Sequence, residues 1–120
     1  MIQLNEEFPE DRLGNHIPTY QVGQLVRHKR YGYRGVIVDV DGHCKGTPQW
    51  YLSNKTQPDR DQPWYHVLVD GSATTTYPAE ENLLPDDSGR PVDHPLLGVF
   101  FSDFRDGRYI RNNVPWPGSR

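Results

Sequence analysis

Alternation of apolar and polar positions is the dominant signal in the chain, and it begins at Tyr20. In "YQVGQLVRHK", Val22, Gln24, Val26 and His28 alternate with Gly23, Leu25, Arg27 and Lys29, the period of two that a half-buried strand requires. "GVIVDVDG" places Val36, Val38 and Val40 on one face and Ile37, Asp39 and Asp41 on the other, with Gly42 closing it. Residues 31–35 then connect these two strands, and Gly35 is the hinge between loop and strand. "WYHVLVDG" sets Tyr65, Val67 and Val69 against Trp64, His66 and Leu68, and Asp70-Gly71 marks a hairpin turn into the β-branched "SATTTYP".

The remaining segments lack that period. Residues 43–63 hold three prolines and predict a long loop with one short turn of structure around 50–52. "AEENLLP" stops at Pro85 and leaves room for a single helical or 3₁₀ turn, and 85–95 reads as a proline-punctuated connector. Leu96, Leu97, Phe100, Phe101 and Phe104 roughly match helical spacing, although Gly98 weakens a helix. A short helix or irregular apolar wrap over one barrel end is expected there. Residues 1–19 are acidic and aperiodic and predict a flexible arm; 112–120 predict a flexible tail; 20–111 form the domain. The fold class is therefore all-β, a small and strongly bent barrel of about five antiparallel strands, with a short helical turn and an apolar C-terminal segment.

Composition sharpens this picture. Only 34% of residues are hydrophobic and mean hydropathy is −0.83, yet three tryptophans, seven tyrosines and four phenylalanines allow a small core to bury a large area. A formal charge of −3 argues against a surface that is basic throughout, but it leaves room for a local patch. Arg27, Lys29, Arg30 and Arg34 form one, within eight residues that contain no acid, while carboxylates gather in 6–11 and 80–87. A single cysteine, Cys44, excludes an intramolecular disulfide framework. No apolar run approaches the roughly 18 residues of a membrane span, and the first residues lack a secretory signal's pattern, so a cytoplasmic protein with no membrane partner is expected.

The stretch "VRHKRYGYRGVIVDVD", together with "QPWYHVLVDG", "TYPAEENLLPDDSG" and "HPLL", resembles the YccV-like family of hemimethylated-DNA-binding domains, which includes the bacterial heat-shock protein HspQ. The resemblance covers about residues 20–104. It implies an SH3-like β-barrel, a preference for hemimethylated DNA and, in the heat-shock branch with its stress response, regulation of proteolysis by the Lon protease. The insert "GHCKGTPQWYLSNKTQPDRDQ" and the tail "FRDGRYIRNN" depart from the short bacterial pattern and look more like the version attached to some F-box proteins. That departure weakens the expectation of a protease role.

Two readings of the basic cluster stand side by side. In one, Arg27, Lys29, Arg30 and Arg34 meet phosphates of double-stranded DNA while Tyr31 or Tyr33 stacks on or packs against sugar and base. In the other the charges merely solvate a strand face and the tyrosines are core. Trp50, Tyr51 and Trp64 are candidates for an aromatic surface able to sense a methyl group, with core packing the better account of Trp64. Glu80 and Glu81, with Asp86 and Asp87, offer an acidic surface for a protein partner; equally, the two glutamates suit the positive end of a helical turn.

The five histidines form no metal-ligand spacing, and no cofactor is implied. A Cys44–His66 dyad lacks an orienting third group and an oxyanion site, so no catalytic residue is assigned. The sequence thus predicts a non-enzymatic DNA-binding domain. The alternative is a protein-interaction module that regulates proteolysis, an adaptor or specificity factor, Lon-related or F-box-like, with a protease or client as partner. Homo-oligomerisation is compatible with the apolar segment 99–104, which suits an interface as well as a core.

Overall fold

A computed structural model describes residues 17–117. The expected arm therefore lies almost wholly outside the described residues. Three strands fall on the alternating stretches, β1 Leu25–His28, β2 Arg34–Asp41 and β3 Trp64–Val69, and β4, Thr75–Thr76, falls on the β-branched one; β1 is shorter than the stretch that begins at Tyr20, and β2 takes in Arg34 and Gly35, which were expected in the connection. A 3₁₀ turn, Glu80–Asn82, precedes β5, Leu83–Pro85. All pair antiparallel in the order β4-β3-β2-β1-β5.

What curls this sheet is a single stretch of chain that serves both of its edges. Residues 75–79 pair with β3, through Val67–Thr76, Leu68–Thr75 and the Trp64–Ala79 bridge. After the 3₁₀ turn the same stretch pairs with β1 as β5. No ladder joins β4 to β5 directly among the described residues, yet the covalent link brings the two edges round toward each other, as a small SH3-like barrel requires.

β2 departs from strict alternation. Its register against β3 shifts between Ile37 and Asp39, a bulge at Val38. Val36 and Val38 consequently pack on one face, but Val40 falls in with Ile37 on the other, which corrects the expected trio of valines. The inner face gathers Val26, Ile37, Tyr65, Val67 and Leu83, closed by Tyr20. The outer face carries Leu25, Val36, Val38 and Leu68, and it too is buried. A strand buried on both faces reads as a nearly continuous apolar run, which is what "GVIV" is.

The cover for that outer face is the C-terminal segment, and here the structure is more regular than expected. α2 is one turn, Leu97–Phe100, and it leads into a hairpin of β6, Phe101–Arg105, and β7, Arg108–Arg111. Val92, Phe100, Phe101 and Tyr109 become core. Since each such side chain contributes about 1.5–3 kcal/mol on burial, the hairpin is part of the fold and not an appendage. Helical spacing misled because Phe101 and Phe104 sit in a strand whose register also shifts, between Phe101 and Asp103. Trp116, in the segment expected as a tail, packs on Phe100 and His66 at ring distances of 5.1 and 5.7 Å.

Two further contacts fasten the hairpin. Arg111 Nε donates to the carbonyl of the bulge residue Val38 at 2.9 Å, and its guanidinium stands 5.1 Å from the Phe100 ring. Gly23, at φ +91°, receives the Tyr109 N–H on its carbonyl at 2.9 Å while its own N–H reaches Ile37. A Cβ there would sit 2.0 Å from the Tyr109 carbonyl oxygen, so only glycine fits.

Candidate nucleic-acid interface

The turn between β1 and β2 is organised by one histidine. His28 Nδ1 accepts the backbone N–H groups of Arg30 and Tyr31, each at 3.1 Å, while Gly32 N–H closes onto the His28 carbonyl at 2.9 Å. Gly32 takes φ +74°, the left-handed geometry the tight turn needs. The imidazole is stacked with both tyrosines, Tyr31 at 4.8 Å and Tyr33 at 5.1 Å. Tyr33 is anchored by its hydroxyl to Thr76 at 2.7 Å, and Lys29 N–H is tied to Asn82. A fixed scaffold thus holds a turn whose outward side chains are Lys29, Arg30 and Tyr31, all exposed.

Two N–H groups on Nδ1 require that nitrogen unprotonated. Burial, and then the nearby Arg30 charge, hold the His28 imidazole below its ordinary value of 6.5. A lowered folded-state value means that the stabilisation is present above 6.5 and is lost as pH falls through the folded value. Urea unfolding followed downward from neutral pH should show this loss, and His28→Gln, which cannot titrate, should flatten that part of the profile. An unchanged profile in the variant would remove His28 as the cause.

The basic residues are not brought together as one group. Arg27 is exposed and lies 3.5 Å from Asp86. No carboxylate among the described residues pairs with Lys29 or Arg30. Arg34, the register partner of Arg27 across the β1–β2 ladder, is only 7% exposed on its side chain: Nε meets Asp86 and Nη1 meets Asp70, both at 2.8 Å, and Nη2 donates to Ser88 and the Arg90 carbonyl. Burial raises the Asp86 carboxyl, but hydrogen bonds from Arg34 and Ser88 outweigh it and leave it below the ordinary range. Nearness in sequence put Arg34 in the cluster on paper, within the connection expected at 31–35; it opens β2 instead and is a buried clamp.

Beside the turn lies a groove of about 510 Å³. Its second wall is the insert, where Thr47 caps helix α1, Pro48–Ser53, by accepting the Trp50 N–H at 3.1 Å. The short turn expected at 50–52 is this helix. Trp50 packs against Trp64 and Tyr77, with ring distances of 6.0 and 5.5 Å. Tyr51 ties the insert together and seats it on the sheet: its hydroxyl donates to the carbonyls of Gln57 and Pro58, Arg60 lies 5.0 Å from its ring, and the ring meets Trp64 edge-on at 6.4 Å. Trp64 is buried core, as expected.

Glu80 and Glu81 are engaged within the fold. Glu80 Oε1 accepts the Tyr65 hydroxyl at 2.6 Å and the Thr19 N–H at 2.8 Å, and Glu81 exchanges hydrogen bonds with Gln62. Sequence reasoning missed one group: Asp39, Asp41 and His66 offer ligand atoms within 4.8 Å of one another, because β2–β3 pairing sets Asp39 opposite His66. Asp41 there accepts the Tyr77 hydroxyl and faces His66 at 3.1 Å and Lys45 at 3.8 Å, so its carboxylate already has internal partners. Burial and that hydrogen bond push the Tyr77 phenol up. Among the described residues no helix is long and apolar enough to cross a membrane.

Comparison with known proteins places these features in context. The family profile described as "Hemimethylated DNA-binding protein YccV like" matches residues 18–108. F-box only protein 21 from Homo sapiens and from Pongo abelii is each 37% identical over 97 residues, 78% of this chain and 15% of the relative; the Mus musculus protein matches to the same extent. The chain thus spans about 15% of the length of the curated relatives it matches.

Proposed function

Because the chain belongs to the YccV-like family of hemimethylated DNA-binding proteins, we propose that it binds double-stranded DNA without catalysis, through the β1–β2 turn. One observation carries this reading: Lys29, Arg30 and Tyr31 are displayed together on a scaffold fixed by His28 and Asn82. Pre-ordered cations meet phosphates at little entropic cost, and the exposed tyrosine adds a face for sugar or base. Arg27, half neutralised by Asp86, assists; Arg34 acts by holding the turn's far strand. A preference for hemimethylated sites belongs to the same proposal and rests on the family description.

The expected result is salt-sensitive binding of a duplex. Each phosphate-contacting cation contributes about 0.9 to the slope of log K against log salt, so Lys29→Ala with Arg30→Ala should flatten that slope by about 2 and weaken binding similarly across sequences. Fluorescence anisotropy over a salt series measures both. If no duplex, whatever its methylation, binds in a salt-dependent way, the proposal is wrong.

A second reading is favoured by the F-box only protein 21 match: the domain serves as a protein-interaction module, a protease adaptor or specificity factor, within a larger assembly. Capture of a defined protease component or its client by the nuclease-treated chain, undiminished in the Lys29/Arg30 variant, would support it over DNA binding.

A further inference from the structure

The groove beside the turn has a charge character that the whole chain lacks. Although the chain carries 16 acidic residues and a net charge of −3, no aspartate or glutamate lines the groove; its charged lining residue is Lys55, exposed on the insert side. The turn supplies Tyr31 and Tyr33 to the opposite wall, and Arg30, outside the lining itself, lies 5.8 Å from the Tyr31 ring. A second groove, of about 570 Å³, shows the contrast, its charged lining being three acids, Asp86, Asp87 and Asp106, against one cation, Arg108. Acid has been segregated from one groove and gathered in the other, and an anionic ligand is steered to the first.

The lining also has the chemistry of a base-binding surface. Tyr31, Tyr33, Trp50, Trp64 and Tyr77 supply rings from three separate segments. Tyr31 is 57% exposed, so a face remains open for stacking. Asn54 and Asn82 line the same space, and neither side-chain amide makes a hydrogen bond among the described residues; an amide pairs a donor with an acceptor, the match for a base edge. In the same wall Trp64, only 2% exposed, carries the one buried side-chain N–H without an acceptor among the described residues. A volume near 510 Å³ lies within the roughly 300–1,000 Å³ of small-ligand sites and excludes a duplex.

We propose that this groove receives one unstacked nucleotide of DNA, its base against the aromatic lining and its phosphates between Arg30 and Lys55. The inference rests on the DNA-binding reading above and deepens it: the insert becomes the second half of the interface, with the turn gripping the duplex backbone and the groove holding a base drawn out of the stack. A mismatched or unpaired base leaves the stack more easily than a paired one, so such sites are selected.

The test compares the full chain on short duplexes of one sequence, either fully paired or with a single unpaired 2-aminopurine. We expect about tenfold tighter binding to the second, together with a change in 2-aminopurine emission as the base meets the rings. Tyr31→Ala and Lys55→Ala both alter exposed side chains, and each should bring the affinity ratio down toward one. Equal affinity for the two duplexes, with salt-sensitive binding intact, overturns the nucleotide site and leaves the DNA-binding proposal standing. An undiminished ratio in both variants also overturns it. Loss of all DNA binding removes both proposals. Tryptophan quenching by an acidic proline-rich peptide with none by DNA assigns the groove to a peptide instead.

Discussion

Arg34→Ala is expected to destabilise the domain by about 3–5 kcal/mol, because it leaves two carboxylates without the cation that compensates them. Asp86 is almost fully buried, and its remaining cation, Arg27, is 3.5 Å away and half exposed. For a domain of this size the midpoint of thermal unfolding should fall by on the order of 15 °C or more. Arg34→Lys should recover only part of the loss, since an ammonium cannot reach Asp70, Asp86, Ser88 and Arg90 in the plane of one fork. Guanidinium unfolding curves measure the effect directly. The same clamp gives an acid limb: the Asp86 carboxyl lies below its ordinary 3.8, so its contribution is present above that value and disappears as pH falls through the folded value. A variant as stable as the parent would return Arg34 to the surface and to the DNA contact suggested by its neighbours in sequence.

The contrast with Arg30 separates stability from binding. Arg30→Ala removes an exposed side chain that makes a cation–π approach of 5.8 Å to Tyr31, so stability should change by less than about 0.5 kcal/mol. Arg34 holds the scaffold, and Arg30 is displayed by it.

Gly23→Ala is the second large effect, about 2–4 kcal/mol, because two penalties coincide. The backbone sits at φ +91°, which alanine adopts only with strain, and its Cβ would lie 2.0 Å from the Tyr109 carbonyl oxygen. The clash is with backbone on both sides and no side chain can rotate away. Relief requires the β6–β7 hairpin to lift from the outer face of the sheet, which exposes Leu25, Val36 and Leu68. Faster tryptic cleavage at Arg105 and Arg108, which flank the hairpin turn, should accompany the loss of stability. Gly98→Ala is the control: nothing lies within 4 Å of its Cβ and the residue is in helical conformation within α2, so that change should be neutral or stabilising. Equal effects from the two substitutions would show that Gly23 is no joint between sheet and hairpin.

Much of the fold was legible along the chain. Strands β1 to β3 lie within stretches where apolar and polar residues alternate, because a half-buried sheet imposes that period locally, and β4 lies in the β-branched stretch after the Asp70-Gly71 turn. The 3₁₀ turn before Pro85 and the short helix in the insert follow from caps and prolines, which act over three or four residues. The candidate turn was legible for the same reason, since Lys29, Arg30 and Tyr31 are sequence neighbours and a turn displays neighbours together.

Other features were decided only when distant segments met. Arg34 looked like its basic neighbours until β2 curled and set it against Asp70 and Asp86, 36 and 52 residues further on. Val40 changed faces because the bulge at Val38 shifts register, and the energy of a bulge is settled by the partner strand and by the Arg111 guanidinium that takes the freed carbonyl. The C-terminal hairpin is a hairpin because it has an apolar sheet face to cover, which helical spacing in its own sequence cannot report. The groove depends on the same cause: its aromatic rings come from the turn, the insert and β3–β4, and only packing brings them to one space while leaving every acid elsewhere. By itself the sequence determined the elements and the charged turn, which are short-range matters of period and neighbourhood. The buried ion pairs, the bulge and the acid-free groove belong to the tertiary structure, because burial and charge proximity are properties of residues far apart in the chain.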